Sequence, residues 1–465
     1  MKIMLDIHII IAKLCIKLQI YEIEVKMYID LSVRNLFSFG EEQTFSFEAY
    51  HKIMDYEKDF VVEIGKYKLL KMLMIYGANA SGKTNILKCF SLLNELILDK
   101  RDIDKEINSK PFLLDPVFKN QPSTLKANFV VKKADNYIRY KYEINFTSEE
   151  IYKEKLEYYP SIQPALVFER TKDDDNERGM ILKVGSTISL SKADREVILA
   201  NTIKHNTILS VFNRVNPLFE HAKNVWEWYK SRSSMIIDNR TSTLKFTVDF
   251  LEKNQTLLGK FKELMINADF NISNIQIEKE QKEIDDFTKQ VYNLFAKKDN
   301  DTELIEALDK IKTINKYDLN FQHTVKKGDT EILQQFSSNQ ESDGTLRYFS
   351  LLAPFYISNK ESMLMLFDEI ENSLHYDLQK LLLLMFLKNS SDSQLIVTTH
   401  NPLFLAWDIM RYDVIWFAEK GETGQTELFS LIDFNNLKRE NVMKKYLIGN
   451  YGAVPNIKQQ VETLD

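Results

Sequence analysis

Apolar positions follow two different rhythms along this 465-residue chain. Between residues 28 and 48 apolar and polar positions alternate, which predicts a hairpin of half-buried strands. The same alternation over 125–131 and 137–146 predicts two antiparallel strands, joined by the polar Lys132-Lys133-Ala134-Asp135-Asn136. Other runs are short and unbroken, as in strands buried on both faces: Leu73-Met74-Ile75-Tyr76, Met363-Leu364-Met365-Leu366-Phe367 and Leu395-Ile396-Val397. Helical spacing takes over after the first run, from Asn85 to Leu93, and again in the leucine-rich stretch after His375. From about 215 to 315 the pattern predicts mostly helix. Ile284, Phe287, Val291 and Leu294, then Leu304, Leu308 and Ile311 beyond the polar Lys297–Asp301, predict a short helical-hairpin arm. Their spacing leaves open whether the arm packs on its own domain or projects toward a partner. Trp416-Phe417-Ala418 and Leu428-Phe429-Ser430-Leu431 predict two late strands.

Composition narrows the class. An apolar content of 44% with 28% charged residues describes a soluble globular chain with room for several domain-sized units. The net charge of −6 gives no global basic field for nucleic acid, although a local basic groove stays open. Cys15 and Cys89 are the only cysteines, which excludes a disulfide framework or a cysteine-based zinc site and suits a reducing cytoplasm. No apolar run reaches transmembrane length, so no membrane role is expected. Residues 1–26 read as an N-terminal extension: Asp6, Lys13 and Lys17 break its apolar stretch, and Met27 offers another start. Asp173-Asp174-Asp175 reads as a solvated hairpin tip rather than a metal site.

The chemistry concentrates after the solid apolar runs. Gly77-Ala78-Asn79-Ala80-Ser81-Gly82-Lys83-Thr84 stands between a strand and a helix and fits the phosphate-loop pattern G-x-x-x-x-G-K-[ST]. Its amides and the helix N-terminus would attract phosphates, Lys83 would reach the β- and γ-phosphates, and Thr84 would ligate Mg²⁺. Asn85 opens the helix behind it. The run ending at Phe367 exits into Asp368-Glu369, a Walker B pattern. Asp368 would hold Mg²⁺ and Glu369 would act as general base on water. The next strand ends in His400, placed to contact a γ-phosphate and orient that water. Ser342-Asp343-Gly344 opens another helix; the Ser342 hydroxyl and the Gly344 amide suit an anion, and a plain helix cap has the same residues.

In this order the motifs resemble an ABC-type ATPase head of the RecF/SMC/OLD kind, and Asn79 and Ser81 fit the G-x-N-x-S-G-K-[ST] loop of that branch. The resemblance is nearest to bacterial abortive-infection ATPases related to OLD proteins, with PARIS- and Abi/Rlo-like systems among them. It rests on Asn35-Leu36-Phe37-Ser38-Phe39, on the signature Glu341-Ser342-Asp343-Gly344-Thr345, on Asp368-Glu369-Ile370-Glu371-Asn372-Ser373-Leu374-His375 and on the tail 446–455. It covers 28–110 and 335–457 well; Tyr376 replaces the usual Pro. Glu154, ahead of Leu156, is the one candidate for the Q-loop.

The resemblance implies an α/β fold: a split head, with an antiparallel β lobe and a parallel-sheet core, interrupted by the helical insertion. The expected divisions are 27–214 and 319–465 for the two halves of the head and 215–318 for the insertion. It implies ATP and Mg²⁺ as ligands and a homodimer or higher oligomer, in which Ser342 and Gly344 of one copy close on the nucleotide at Lys83 of the other. The stretch after His400 leaves no room for the TOPRIM nuclease domain of OLD proteins. A separate effector, such as a TOPRIM-type nuclease or toxin in antiphage defence, is therefore expected, with a phage trigger. A RecF-like DNA-repair ATPase acting directly on DNA is the alternative. On either reading Lys83→Ala abolishes ATP binding in a fluorescent-nucleotide titration; unchanged affinity would contradict the phosphate-loop assignment.

Overall fold

The computed structural model of the chain describes residues 25–53, 56–102, 105–133, 136–175, 179–212, 219–232, 234–238, 243–268, 271–283, 313–327, 330–435, 437 and 441–455. They form two compact units. One comprises Met1–Thr241, Ile357–Asn372 and Gln379–Asp465; the other comprises Ser242–Tyr356 and Ser373–Leu378.

The first unit is built on two large sheets. The alternating segments make an antiparallel one: β1 (Lys26–Arg34), β2 (Gln43–Ser46), β6 (Ser123–Lys133), β7 (Asn136–Phe146), β8 (Ile151–Tyr159), β9 (Ala165–Lys172) and β10 (Met180–Val184). Its spatial order is β10-β9-β8-β7-β6-β1-β2. Tyr28 on β1 meets Phe90 and Trp228 edge-on, at ring-centroid distances of 5.2 and 4.8 Å. These partners lie on α1 (Lys83–Leu98) and α2 (Glu220–Ser231). Such aromatic pairs add specific geometry to the burial of large apolar area.

The unbroken apolar runs make the second sheet. It contains β5 (Met72–Tyr76), β11 (Ser234–Ile237), β15 (Leu364–Phe367), β16 (Gln394–Thr399), β17 (Ile415–Lys420) and β18 (Thr426–Ser430), in the order β11-β15-β16-β5-β17-β18. Every residue of β5, β15 and β16 is buried. All neighbours are parallel except β17 with β18. A small hairpin of β3 (Val61–Ile64) and β4 (Tyr67–Leu70) completes the unit's strands among the described residues. The side chain of Gln394 joins the large sheets: its Oε1 accepts from the Tyr28 amide at 2.7 Å and its Nε2 donates to the Tyr28 carbonyl at 3.0 Å. A fully buried amide satisfied on both sides is a strong register pin, because a shifted strand would leave it unpaired.

In the second unit α3 (Thr243–Lys253), α4 (Leu258–Asn267) and α5 (Asp343–Ser358) accompany a sheet of order β12-β13-β14. Its strands are β12 (Ile272–Glu283), β13 (Thr313–Lys327) and β14 (Thr330–Ser337), all antiparallel. Thr247 Oγ1 donates to the Ser350 carbonyl at 2.6 Å, and Phe321 meets Phe349 edge-on at 5.7 Å.

Two expectations change. The described residues between 215 and 315 are helical in α2, α3 and α4, as expected, but they also carry two strands the pattern did not predict: β11, and β12, which pairs with β13 along its length. Isoleucines at 272, 275 and 277 fit a strand as well as a helix, and tertiary pairing decides between them. The arm seam from Ile284 to Ile311 lies outside the described residues. Glu154, the Q-loop candidate, sits fully buried on β8. It accepts from the Tyr142 hydroxyl at 3.0 Å and the Ile208 amide at 2.7 Å, and lies 3.8 Å from the Arg170 guanidinium. Burial raises its pKa, with Arg170 opposing. This is structural chemistry inside the antiparallel lobe. Glu154→Ala leaves Arg170 buried without its counter-charge and should destabilise the chain by about 3–5 kcal/mol in chemical denaturation while sparing ATP affinity. Lost affinity at full stability would reinstate the Q-loop role.

Candidate functional site

The parallel order sets the site. With β15, β16 and β5 side by side, the turns leaving their C-terminal ends converge, as ligand sites do in open α/β sheets. Those turns carry Asp368-Glu369, His400 and the loop 77–84. A Cβ on Gly77 would overlap the Ala418 carbonyl, and one on Gly82 the Thr426 hydroxyl; Gly82 also has φ of 105°. Ala80 holds φ of 61° without being glycine, a conformation that costs about 1–3 kcal/mol and clusters at functional sites. The loop is braced from outside. Thr426 Oγ1 lies 2.7 Å from both the Ser38 hydroxyl and the Ser81 carbonyl, and Asn85 Nδ2 donates to Ser38 Oγ at 2.8 Å.

Lys83 Nζ donates to the carbonyls of Gly77 and Ala78 at 2.8 and 3.1 Å and lies 3.0 Å from His400 Nε2. An ammonium can only donate, so Nε2 accepts and the imidazole proton sits on Nδ1. Burial, with Lys83 second, lowers the pKa of His400; burial also lowers that of Lys83, against the pull of Asp368, Glu369 and Glu371. Thr84 Oγ1 donates to Asp368 Oδ2 at 2.8 Å. Asp368 Oδ1 accepts from Thr398 Oγ1 at 2.6 Å, and that same hydroxyl accepts from the Glu369 amide at 2.8 Å. Glu369 has φ of 53°, and its Oε2 accepts from Asn372 Nδ2 at 2.8 Å.

Around these groups lies a cleft of about 450 Å³, lined by the loop from Asn79 to Asn85 together with Glu369 and His400. Its chemistry fits a polyphosphate: loop amides, an ammonium, and the buried Ser81 hydroxyl with no protein partner. It also fits Mg²⁺. Among the described residues no three His, Cys, Asp or Glu side chains converge as a metal cage. Mg²⁺ is usually held by one or two protein oxygens plus phosphates, and Thr84 with Asp368 supplies such a pair.

The signature residues belong to the second unit. Ser342 caps α5: its Oγ accepts from the Thr345 amide at 3.1 Å. Gly344 packs against the Ser373 carbonyl, which a Cβ there would approach to 3.1 Å. Ser373 itself has φ of 59°.

Residues 72–406, from the first residue of β5 to beyond His400, match the family described as "AAA domain, putative AbiEii toxin, Type IV TA system". The chain belongs to this AAA-domain ATPase family. No curated protein matches it. Among solved structures it is similar to the SMC head domain from Thermotoga maritima, at 11% identity over 87% of this chain and 98% of that one, with a TM-score of 0.36. It is also similar to an SmcHead bound to the C-winged helix domain of ScpA, at 12% identity over 88% and 99%, with a TM-score of 0.39.

Within this AAA-domain chain the structure brings together Gly77, Asn79, Ser81, Gly82, Lys83, Thr84, Asn85, Asp368, Glu369 and His400, all in the first unit. Three contributors escaped the sequence reading. Thr398 links Asp368 to Glu369, Glu371 accepts from the His400 amide at 2.5 Å, and Ser38 braces the loop. Glu371 and Ser38 stand inside quoted motifs, and Thr398 stands two residues before His400, so the signal was closeness to a named group. Gly82→Ala combines steric overlap with an unfavourable φ and should weaken nucleotide binding by at least about tenfold in calorimetric titration. Affinity within twofold of the parent would show that the loop tolerates a different backbone.

Proposed function

We propose that this chain is an ABC-type ATPase. It binds Mg²⁺·ATP in the cleft at 79–85, closes with a second copy over it, and hydrolyses it to control a separate effector in antiphage or abortive-infection defence. The observation that carries the ATPase reading is the single constellation of Lys83, the Thr84–Asp368 pair, Glu369 and His400 around one cleft.

Each group then has a task. Loop amides and Lys83 hold the phosphates, for which the ammonium exchanges its carbonyl partners. Thr84 and Asp368 hold Mg²⁺, which would neutralise charge developing on the β- and γ-phosphates. Glu369, its Oε2 fixed by Asn372, takes a proton from water as the water oxygen bonds to the γ-phosphorus and the bond to the ADP oxygen breaks. Neutral His400, its strand end tied by Glu371, orients that water and the γ-phosphate. Ser342 and Gly344 of the second copy complete the site. The toxin–antitoxin wording of the family supports an effector-controlling role, and binding energy from ATP would bias the open and closed assemblies.

Glu369→Gln keeps the binding groups and removes the base. It should bind ATP, lose at least about a hundredfold in turnover, and accumulate as an ATP-dependent dimer in sedimentation velocity. Wild-type turnover would remove Glu369 from the base role.

A further inference from the structure

The second unit holds a side-chain pair to which none of these motifs assigns a task. His323 Nε2 lies 2.5 Å from Glu341 Oε1, and their side chains are 13% and 5% exposed. Glu341 directly precedes Ser342, the cap of α5. His323 lies in β13, where it pairs with Ile272 of β12 on one side and with Gln334 of β14 on the other. Its ring packs at 5.0 Å from Phe336.

The chain path gives this contact its force. The signature hangs from β14, an edge strand whose residues are exposed from Thr330 to Gln335. Between them lies one short turn, in which the Ser337 amide donates to Gln340 Oε1 at 2.9 Å. An exposed edge strand is a weak anchor for a residue that must meet a phosphate within hydrogen-bonding tolerance. The His323–Glu341 contact closes the loop from 323 to 341 back onto β13, the central strand of the sheet.

We propose that His323 is a positioning residue for the signature: it fixes Glu341, and through it the angle at which Ser342 and the start of α5 meet the nucleotide of the second copy. His323 sits at the root of the β12–β13 pair, so a displacement of that pair reaches the signature through one hydrogen bond. The inference rests on the composite-site reading.

The test uses the full chain in the Glu369→Gln background, with ATP-dependent association measured by sedimentation velocity and first-unit binding by fluorescent-nucleotide titration. His323→Ala should weaken association by about tenfold at unchanged nucleotide affinity, because the hydrogen bond that fixes Glu341 is lost. His323→Gln, which keeps a donor near the Nε2 position, should restore most of it. Ser342→Arg is the control for the reading beneath. Parent-like association by His323→Ala, or failure of His323→Gln to restore what His323→Ala loses, overturns the clamp alone when Ser342→Arg blocks association. Parent-like association by Ser342→Arg overturns the composite site and the clamp with it.

Discussion

Two parallel ladders, β15 on β16 and β16 on β5, carry the rest of the structure. Their registers pair Phe367 with Val397 and Val397 with Met74. One residue beyond the first pair, the Thr398 hydroxyl lies level with Asp368 and the Glu369 amide and bonds to both. A slip of one residue would turn each side chain to the opposite face and separate that hydroxyl from both partners. Burial on both faces makes the slip expensive, since every residue of these two strands is buried. The site is thus positioned by strands buried along their whole length, and the φ of 53° at Glu369 is held by the surrounding contacts.

Charge completes what register begins. Lys83 is buried; burial lowers its pKa, and Asp368, Glu369 and Glu371 oppose that by stabilising its ammonium. Burial, and second to it the same ammonium, lower the pKa of His400 and so disfavour its charged form. The proposed metal-binding, base and water-orienting roles would fall to different residues of one cleft because each sees a different neighbour: Asp368 a pair of hydroxyls, Glu369 an amide side chain, His400 a cation.

Much of this was legible in the chain. The phosphate loop, Asp368-Glu369 and His400 each follow an unbroken apolar run, so the pattern that predicts a buried strand also predicts where its polar exit stands. The antiparallel lobe was legible from alternation at 28–48 and 125–146. What escaped was decided by tertiary pairing. β12 has apolar spacing that suits two periods, and pairing with β13 settles it as a strand. Glu154 looked available because its counter-charge, Arg170, lies on the next strand, a neighbour that only the sheet order reveals. Thr398 was hidden as one of two adjacent threonines at the end of β16. Local sequence carries no sign that it faces two acidic residues from another strand.

The central claim is that one chain supplies the phosphate loop and another supplies the signature. Lys83→Ala and Ser342→Arg, each in the Glu369→Gln background and each carrying a different fluorophore, test it by ATP-dependent energy transfer. Mixed together they retain one intact composite site, so transfer should develop on adding ATP; doubly labelled samples of either variant alone should show none. A mixture that stays dark, or ATP-driven transfer in Ser342→Arg alone, would contradict the account.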